Sequence, residues 1–364
     1  MIHEKIFRKV LIREYRDQFP VHHSIFLKLG DCSIEVASNQ TEVIDYLNDY
    51  CRPFIIPSCL TDMYISVHES ISQFMSLPFE EKPPDPGKTK IKEEYLDING
   101  GRIVRKRLTG MMFIFGEQEH LVIGPCLNNM NQVVNFINNR YIEWLLCRGC
   151  LLGHASGIAI DGHGLALAGF SGAGKSTLAL HLMRHNDVDF ISNDRLIIES
   201  KKNELIMHGV AKLPRINPGT ALNNPNLISI IDSEDQETFS KLHGDELWNL
   251  EHKYDVPLDQ CYGQDRFKLN AKMYGLVILN WRNTGGESLS VNEIKPEDKP
   301  DLLAAFMKSP GLFFLPHRDC LIIEPSTENY SQYLNQCHLW EFTGRIDFEK
   351  AARVCLDLLN TYSG

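Results

Sequence analysis

The run Gly169-Phe-Ser171-Gly172-Ala173-Gly174-Lys175-Ser176, followed by Thr177, fits G-x-x-x-x-G-K-[ST]. Its glycines let successive backbone N–H groups turn inward around phosphate oxygens with no Cβ in the way. A lysine at position 175 can reach the β and γ phosphates, and the Ser176 hydroxyl can ligate Mg²⁺. The spacing therefore predicts a nucleoside triphosphate bound by Gly169, Ser171 to Gly174, Lys175, Ser176 and Thr177.

Phosphate binding alone does not specify a reaction. Asp194 adds a carboxylate only 19 positions after Lys175, at the C-terminal end of the next expected strand. Strand ends at that sheet edge face the phosphate site, where a carboxylate can hold Mg²⁺ directly or through water. Asn193 beside it can orient water or a hydroxyl but, as an amide, cannot take a proton. His154 precedes a hairpin that leads back to the loop, which puts a group titrating near neutrality within reach of the γ-phosphate.

These groups need a strand before the loop and a helix after it. Leu165 to Gly169 reads as the strand and Leu178 to Met183 as the helix, whose N-terminal dipole favours an anion. Ser156 to Ile160, the turn Asp161-Gly-His-Gly164 and the Leu165 strand make the hairpin. Val188 to Ser192 is the strand ending at Asp194, and Met273 to Asn280 is a further buried strand. A C-terminal helix is expected from Asp347 to Leu359, with Phe348, Ala351, Ala352, Val354, Cys355 and Leu358 as its apolar stripe.

Upstream, Ser24 to Leu29, Ser33 to Val36, Met63 to Val67, Tyr95 to Ile98, Arg102 to Arg105 and Met111 to Phe115 read as strands. Thr41 to Asp49 reads as a short helix, and Asn99-Gly100 as a hairpin turn. Leu77 to Gly87 carries four prolines and is expected to be an extended loop. The helix 130–146 links this part to the next. The expected division is an α+β module over 1–125, for recognition, regulation or assembly, and a catalytic domain over 126–364.

The chain has 364 residues, 37 basic against 47 acidic, a balance of −10. That argues against a nucleic-acid partner, which needs clustered cations. The basic cluster Arg102 to Arg107 alternates with apolar residues, as the wet face of a strand does. No apolar run approaches the ~20 residues of a membrane span, and the charged N-terminus lacks a signal-peptide pattern. A cytoplasmic protein with no membrane partner is expected, its ten cysteines reduced. Cys147-Arg-Gly-Cys150 is read as two cysteines packed at a helix end rather than a metal or redox pair.

Taken together, His154-Ala-Ser-Gly157, the hairpin, Gly169 to Thr177 and Ile191-Ser-Asn-Asp-Arg195 resemble the HPr kinase/phosphorylase family, and within it the related B-type subgroup. Leu213-Pro-Arg215-Ile-Asn-Pro-Gly219 and Lys253-Tyr-Asp-Val256 also resemble that subgroup. The resemblance is specific over roughly 130–200. It implies an α/β, phosphoenolpyruvate-carboxykinase-like P-loop fold and a homo-oligomer. It also implies ATP- and Mg²⁺-dependent phosphorylation of a hydroxyl on a protein serine or small molecule. His154 matches a histidine that helps activate the acceptor, and Lys175 and Ser176 match the loop residues.

Where the family keeps two consecutive aspartates, this sequence has Asn193 and Asp194. Where it keeps a glutamate after the loop serine, Thr177 stands, and no Glu-x-Arg-Gly-x-Gly signature is present. The expected catalytic set is His154, Lys175, Asp194 and Arg215, with Ser176 and Asp194 as metal ligands. Either Asp194 or His154 takes the late proton. Arg215, and less so Arg195, offers planar donors to γ-phosphate charge. The rival reading is a nucleotide-binding sensor or assembly module with little transfer.

Overall fold

The computed structural model describes residues 6–70, 77–84, 89–242, 246–247, 250, 252–282 and 287–361. The chain forms two compact units of mixed α/β structure: Met1–Arg148 with Pro310–Leu321, and Gly149–Ser309 with Ile322–Gly364.

In the first unit one sheet runs in the order Ile55–Ile56, His23–Leu29, Cys32–Ser38, Met63–Glu69, Glu119–Gly124, Met112–Gly116, Gly101–Lys106, Glu93–Ile98 and Glu80–Glu81. Met63–Glu69 lies parallel to both neighbours, and the other pairs are antiparallel. Asn99-Gly100 turns the hairpin that pairs Ile98 with Gly101, with Gly100 at φ 78°. Of the proline-rich segment, residues 77–84 include the edge strand Glu80–Glu81, while 85–87 lie outside the described residues. The basic cluster is self-neutralised: Arg102 pairs with Asp97, Arg105 with Glu94, Lys106 with Glu93 and Arg107 with Glu81.

The helix Met130–Leu146 belongs to this unit, so the division falls at 148/149 rather than at 125. Phe136 explains why, since its ring packs 4.9 Å from Phe113 and 6.0 Å from Phe115. Phe313, on the segment 310–321, joins the same aromatic cluster. A disulfide links Cys147 to Cys320, which corrects the expectation that all ten cysteines are reduced. Nothing local marked it, because 173 residues separate the two cysteines. The helix Arg8–Gln18 was not expected either. Its buried face, Arg8, Ile12 and Tyr15, begins with a charge, and that guanidinium donates to the Gly100 carbonyl at 2.6 Å.

In the second unit the sheet order is Leu151–Gly153, Leu196–Lys201, Glu204–His208, Asn270–Leu279, His163–Ala168, Ala155–Ile160 and Asp189–Ser192. His338–Thr343 adds to Asn270–Leu279 in parallel and carries Ser290–Glu293 antiparallel. His163–Ala168 and Asp189–Ser192 both run antiparallel to the intervening Ala155–Ile160, so their C-terminal ends share one sheet edge. The helix Lys175–Leu182 leaves that edge. Beside it lies the C-terminal helix Phe348–Asn360, N-capped by the Asp347 side chain, and Glu349 pairs with His181 and Arg184. The C-terminal stripe buries Ala351, Ala352 and Cys355 as expected, with Leu359 rather than Leu358 completing it. Elements without an expectation include the hairpin Leu196–Lys201/Glu204–His208 and the strand His338–Thr343. Among the described residues no helix is long and apolar enough to cross a membrane.

Candidate functional site

The turn from His163–Ala168 into the helix at Lys175 is held from two sides. Gly174 takes φ 88°, and a Cβ there would sit 2.7 Å from the Phe348 ring. The Trp281 indole N–H donates to the Ala173 carbonyl at 2.8 Å. Within the loop, the Lys175 ammonium donates to the Gly169 carbonyl at 2.7 Å. Burial lowers the pKa of this lysine, and Lys308 adds to the effect against the opposing pull of Asp194.

The second wall comes from the strand Asp189–Ser192. Past its end the chain turns sharply, with Asp194 at φ 69° and the Ser192 hydroxyl donating to the Arg195 carbonyl. A non-glycine residue in that left-handed region is a local cost that the surrounding contacts must hold in place. One such contact is Val210 N–H to Ser192 Oγ at 3.3 Å. Close approach of the adjoining segment requires Gly209, where a Cβ would lie 1.9 Å from the Ile191 carbonyl oxygen.

A cavity of about 370 Å³ opens between these walls, lined by Ser171, Gly172, Lys175 and Ser176 of the loop, by Asn193 to Arg195, and by Val210, Lys212, Leu213 and Arg215. His154 and Lys253 line it too. The fold thus brings His154, Ser171, Gly172, Lys175, Ser176, Asp194 and Arg215 to one space. Asn193 Oδ1 accepts from Ser176 Oγ at 2.6 Å and from Ser156 Oγ at 2.9 Å. Asp194 accepts from His154 Nε2 at 3.1 Å on one oxygen and from Lys308 Nζ at 3.0 Å on the other. Crowding alone would raise the Asp194 carboxyl, but the His154 hydrogen bond and the Lys308 ammonium outweigh it and hold the group well below the usual carboxylate range. Because a carboxylate only accepts, His154 carries a proton on Nε2.

Two members of the expected set are engaged elsewhere. The Thr177 hydroxyl lies 2.9 Å from that of Thr220, whose own hydroxyl meets Asn217 at 3.0 Å. The Arg215 guanidinium pairs with Asp255 at 3.0 Å across a short ladder that joins Arg215–Ile216 to Tyr254–Asp255. That ladder places Lys253 at the cavity wall. Lys308, Lys212 and Ser156 were not anticipated. Lys308 is 114 residues from its partner, and no local pattern could have flagged it. Ser156 sits in the hairpin strand, and only the pairing of Gly157 with Ser192 reveals what it faces.

No family model matches the chain. The chain is 43% identical over 61 residues to an HPr kinase/phosphorylase from Mycoplasma mycoides subsp. mycoides SC. That match covers 16% of this chain and 19% of the relative, so the chain spans about a fifth of that protein's length. Among solved structures, the Hpr(Ser) kinase/phosphatase from Coxiella burnetii overlaps 58% of this chain and 95% of its own, at TM-score 0.30 and 10% identity. A likeness at that score carries no structural argument. Over those 61 residues the chain is similar in sequence to that HPr kinase/phosphorylase.

Proposed function

We propose that the second unit is an ATP- and Mg²⁺-dependent kinase that moves the γ-phosphoryl group to a hydroxyl on a protein serine or small molecule. The observation that carries this reading is the convergence of Lys175, Ser176, Asp194 and His154 on one cavity. The residues fit both ligands. Ser171, Gly172, Lys175 and Ser176 line the cavity, and Gly174 in its left-handed conformation turns the chain into the helix that presents Lys175 and Ser176. Ser176 commits its proton to Asn193, which leaves its lone pairs for a cation, and Asp194 supplies a carboxylate nearby. A phosphoenolpyruvate-carboxykinase-like arrangement of the unit belongs to the same proposal.

Bound Mg²⁺ would neutralise charge developing between the β and γ phosphates. In the transfer, the bond from the γ phosphorus to the β–γ bridging oxygen breaks and one to the acceptor oxygen forms. The acceptor proton leaves late. A carboxylate held as low as Asp194 is a poor proton acceptor and a good cation ligand, so His154 is the better placed group for that proton. Its Nε2 donates to Asp194, which orients the ring and leaves Nδ1 to accept. Arg215 stabilises γ-phosphate charge once it is drawn from Asp255.

One observation favours the sensor reading: Asn193 contributes an amide where a base would help. A complex with Mg²⁺ and a non-hydrolysable ATP analogue separates the two. The kinase reading expects His154 or Asp194 within hydrogen-bond reach of the in-line position behind the γ-phosphate. A γ-phosphate sealed off from any open path would support a sensor.

A further inference from the structure

The cavity holds more positive charge than a nucleotide site needs. Lys175 belongs to the triphosphate, Lys308 is matched by Asp194 and Arg215 by Asp255. Lys212 differs. It is half-buried, faces the same space, and among the described residues its ammonium makes no ion pair or hydrogen bond. Taking a cation partly out of water without a partner is costly. Burial first, then Arg195 and Arg215, against the opposing pull of Asp194 and Asp255, lowers the Lys212 pKa to about 8. Exposed Lys253 stands at the rim of the same cavity.

The segment that carries Lys212 is fixed rather than loose. Lys212 N–H donates to Val210 O at 2.7 Å, Val210 N–H bonds Ser192, and Gly209 N–H donates to Leu269 O at 2.8 Å. The backbone that carries Lys212 into the cavity lining is thus tied to the same strand end that presents Asp194. A partly desolvated cation that lines the cavity and has no ion pair of its own is an environment an oxyanion completes.

We propose that Lys212, supported by Arg195 and Lys253, forms a second anion subsite on the acceptor side, so that the acceptor carries its own phosphate or carboxylate close to the hydroxyl it offers. This rests on the kinase reading and names its substrate class: an anionic alcohol rather than a neutral one.

The test is a titration of inorganic phosphate, and separately of acetate, into full-length protein saturated with Mg²⁺ and a non-hydrolysable ATP analogue. Phosphate binding, acetate binding or both, with the analogue still in place, is expected, and the preferred anion tells the two sources apart. Lys212→Gln should weaken it at least about tenfold, Lys212→Arg should retain it, and neither should change analogue affinity more than about twofold, since one charged hydrogen bond is at stake. Anion binding only by displacement of the analogue, or equally in Lys212→Gln, overturns the subsite. If the analogue does not bind at all, the nucleotide reading has failed on its own. The same titration on Lys175→Ala then decides the subsite, since a Lys212-dependent anion site there sustains it and the lack of one sinks it.

Discussion

Asn193 is the position at which sequence and geometry press hardest on the mechanism. Its Oδ1 takes the protons of Ser156, which is fully buried, and of Ser176. Asn193→Leu removes the one oxygen that accepts from both. A buried hydroxyl left unpaired costs about 1–3 kcal/mol, so the loss at Ser156 alone should lower Tm by roughly 2–12 °C for a unit of this size. Asn193→Asp is a different perturbation. A carboxylate accepts from both hydroxyls, so stability should stay within about 1 kcal/mol of wild type near neutral pH. It also adds a charge beside Ser176 and Asp194. A unit charge pair at 4 Å is worth about 4 kcal/mol in surface-like surroundings, and a tenfold gain in Mg²⁺ affinity requires only about 1.4 kcal/mol of it after desolvation. Thermal unfolding of both variants, with Mg²⁺ titrations in the presence of ATP, measures each effect. The expected pattern is a destabilised leucine variant and a stable aspartate variant that saturates with Mg²⁺ at least tenfold earlier. Phosphoryl transfer should change only modestly in Asn193→Asp if His154 is the base. Equal destabilisation of the two variants, or no change in Mg²⁺ dependence, would refute the assignment of Asn193 as the residue that orients Ser176.

Lys308→Met should act through Asp194. The folded carboxyl is depressed, so its stabilisation is present above the unfolded carboxylate value and lost as pH falls through the folded one. Removing Lys308 lessens the depression and moves the acid limb of the rate profile to higher pH. Because 56% of the Asp194 side chain is exposed, the shift should stay under about one pH unit, and it should vanish in an Asp194→Asn background. Cys320→Ser should destabilise the first unit by about 2–4 kcal/mol in non-reducing buffer, and wild type under reductant should match the variant. Wild-type unfolding indifferent to reductant would contradict the crosslink. Gly209→Ala forces a Cβ into the Ile191 carbonyl and should cost about 1–3 kcal/mol by chemical denaturation, with the turn at Asp194 disturbed.

Local chemistry made much of the second unit legible. The glycine spacing of the loop, the Asp161-Gly162 turn with both residues at positive φ, and the Asp347 cap are each specified within a few residues. The alternating strands of the first unit were legible for the same reason. What stayed hidden depends on distant pairing. Lys308 reaches Asp194 from a loop, Cys320 reaches Cys147 from an excursion of the chain, and Arg8 is buried by carbonyls that no periodicity announces. Arg215 and Asp255 lie far apart in sequence, and only their pairing shows that Leu213, Arg215 and Lys253 line one cavity.

Transfer itself is the most direct measurement. Purified wild-type protein and Lys175→Ala, incubated with Mg²⁺, γ-labelled ATP and a lysate depleted of small kinases' activity by heat, should differ: label passes to an acceptor with wild type and not with the variant. Lys175 now donates to the loop's own carbonyls and would turn to the phosphates on binding, so its loss removes the charge that steadies the γ-phosphoryl group. Label that remains on ATP or inorganic phosphate to the same extent with both proteins, across metals and acceptor fractions, would contradict the kinase.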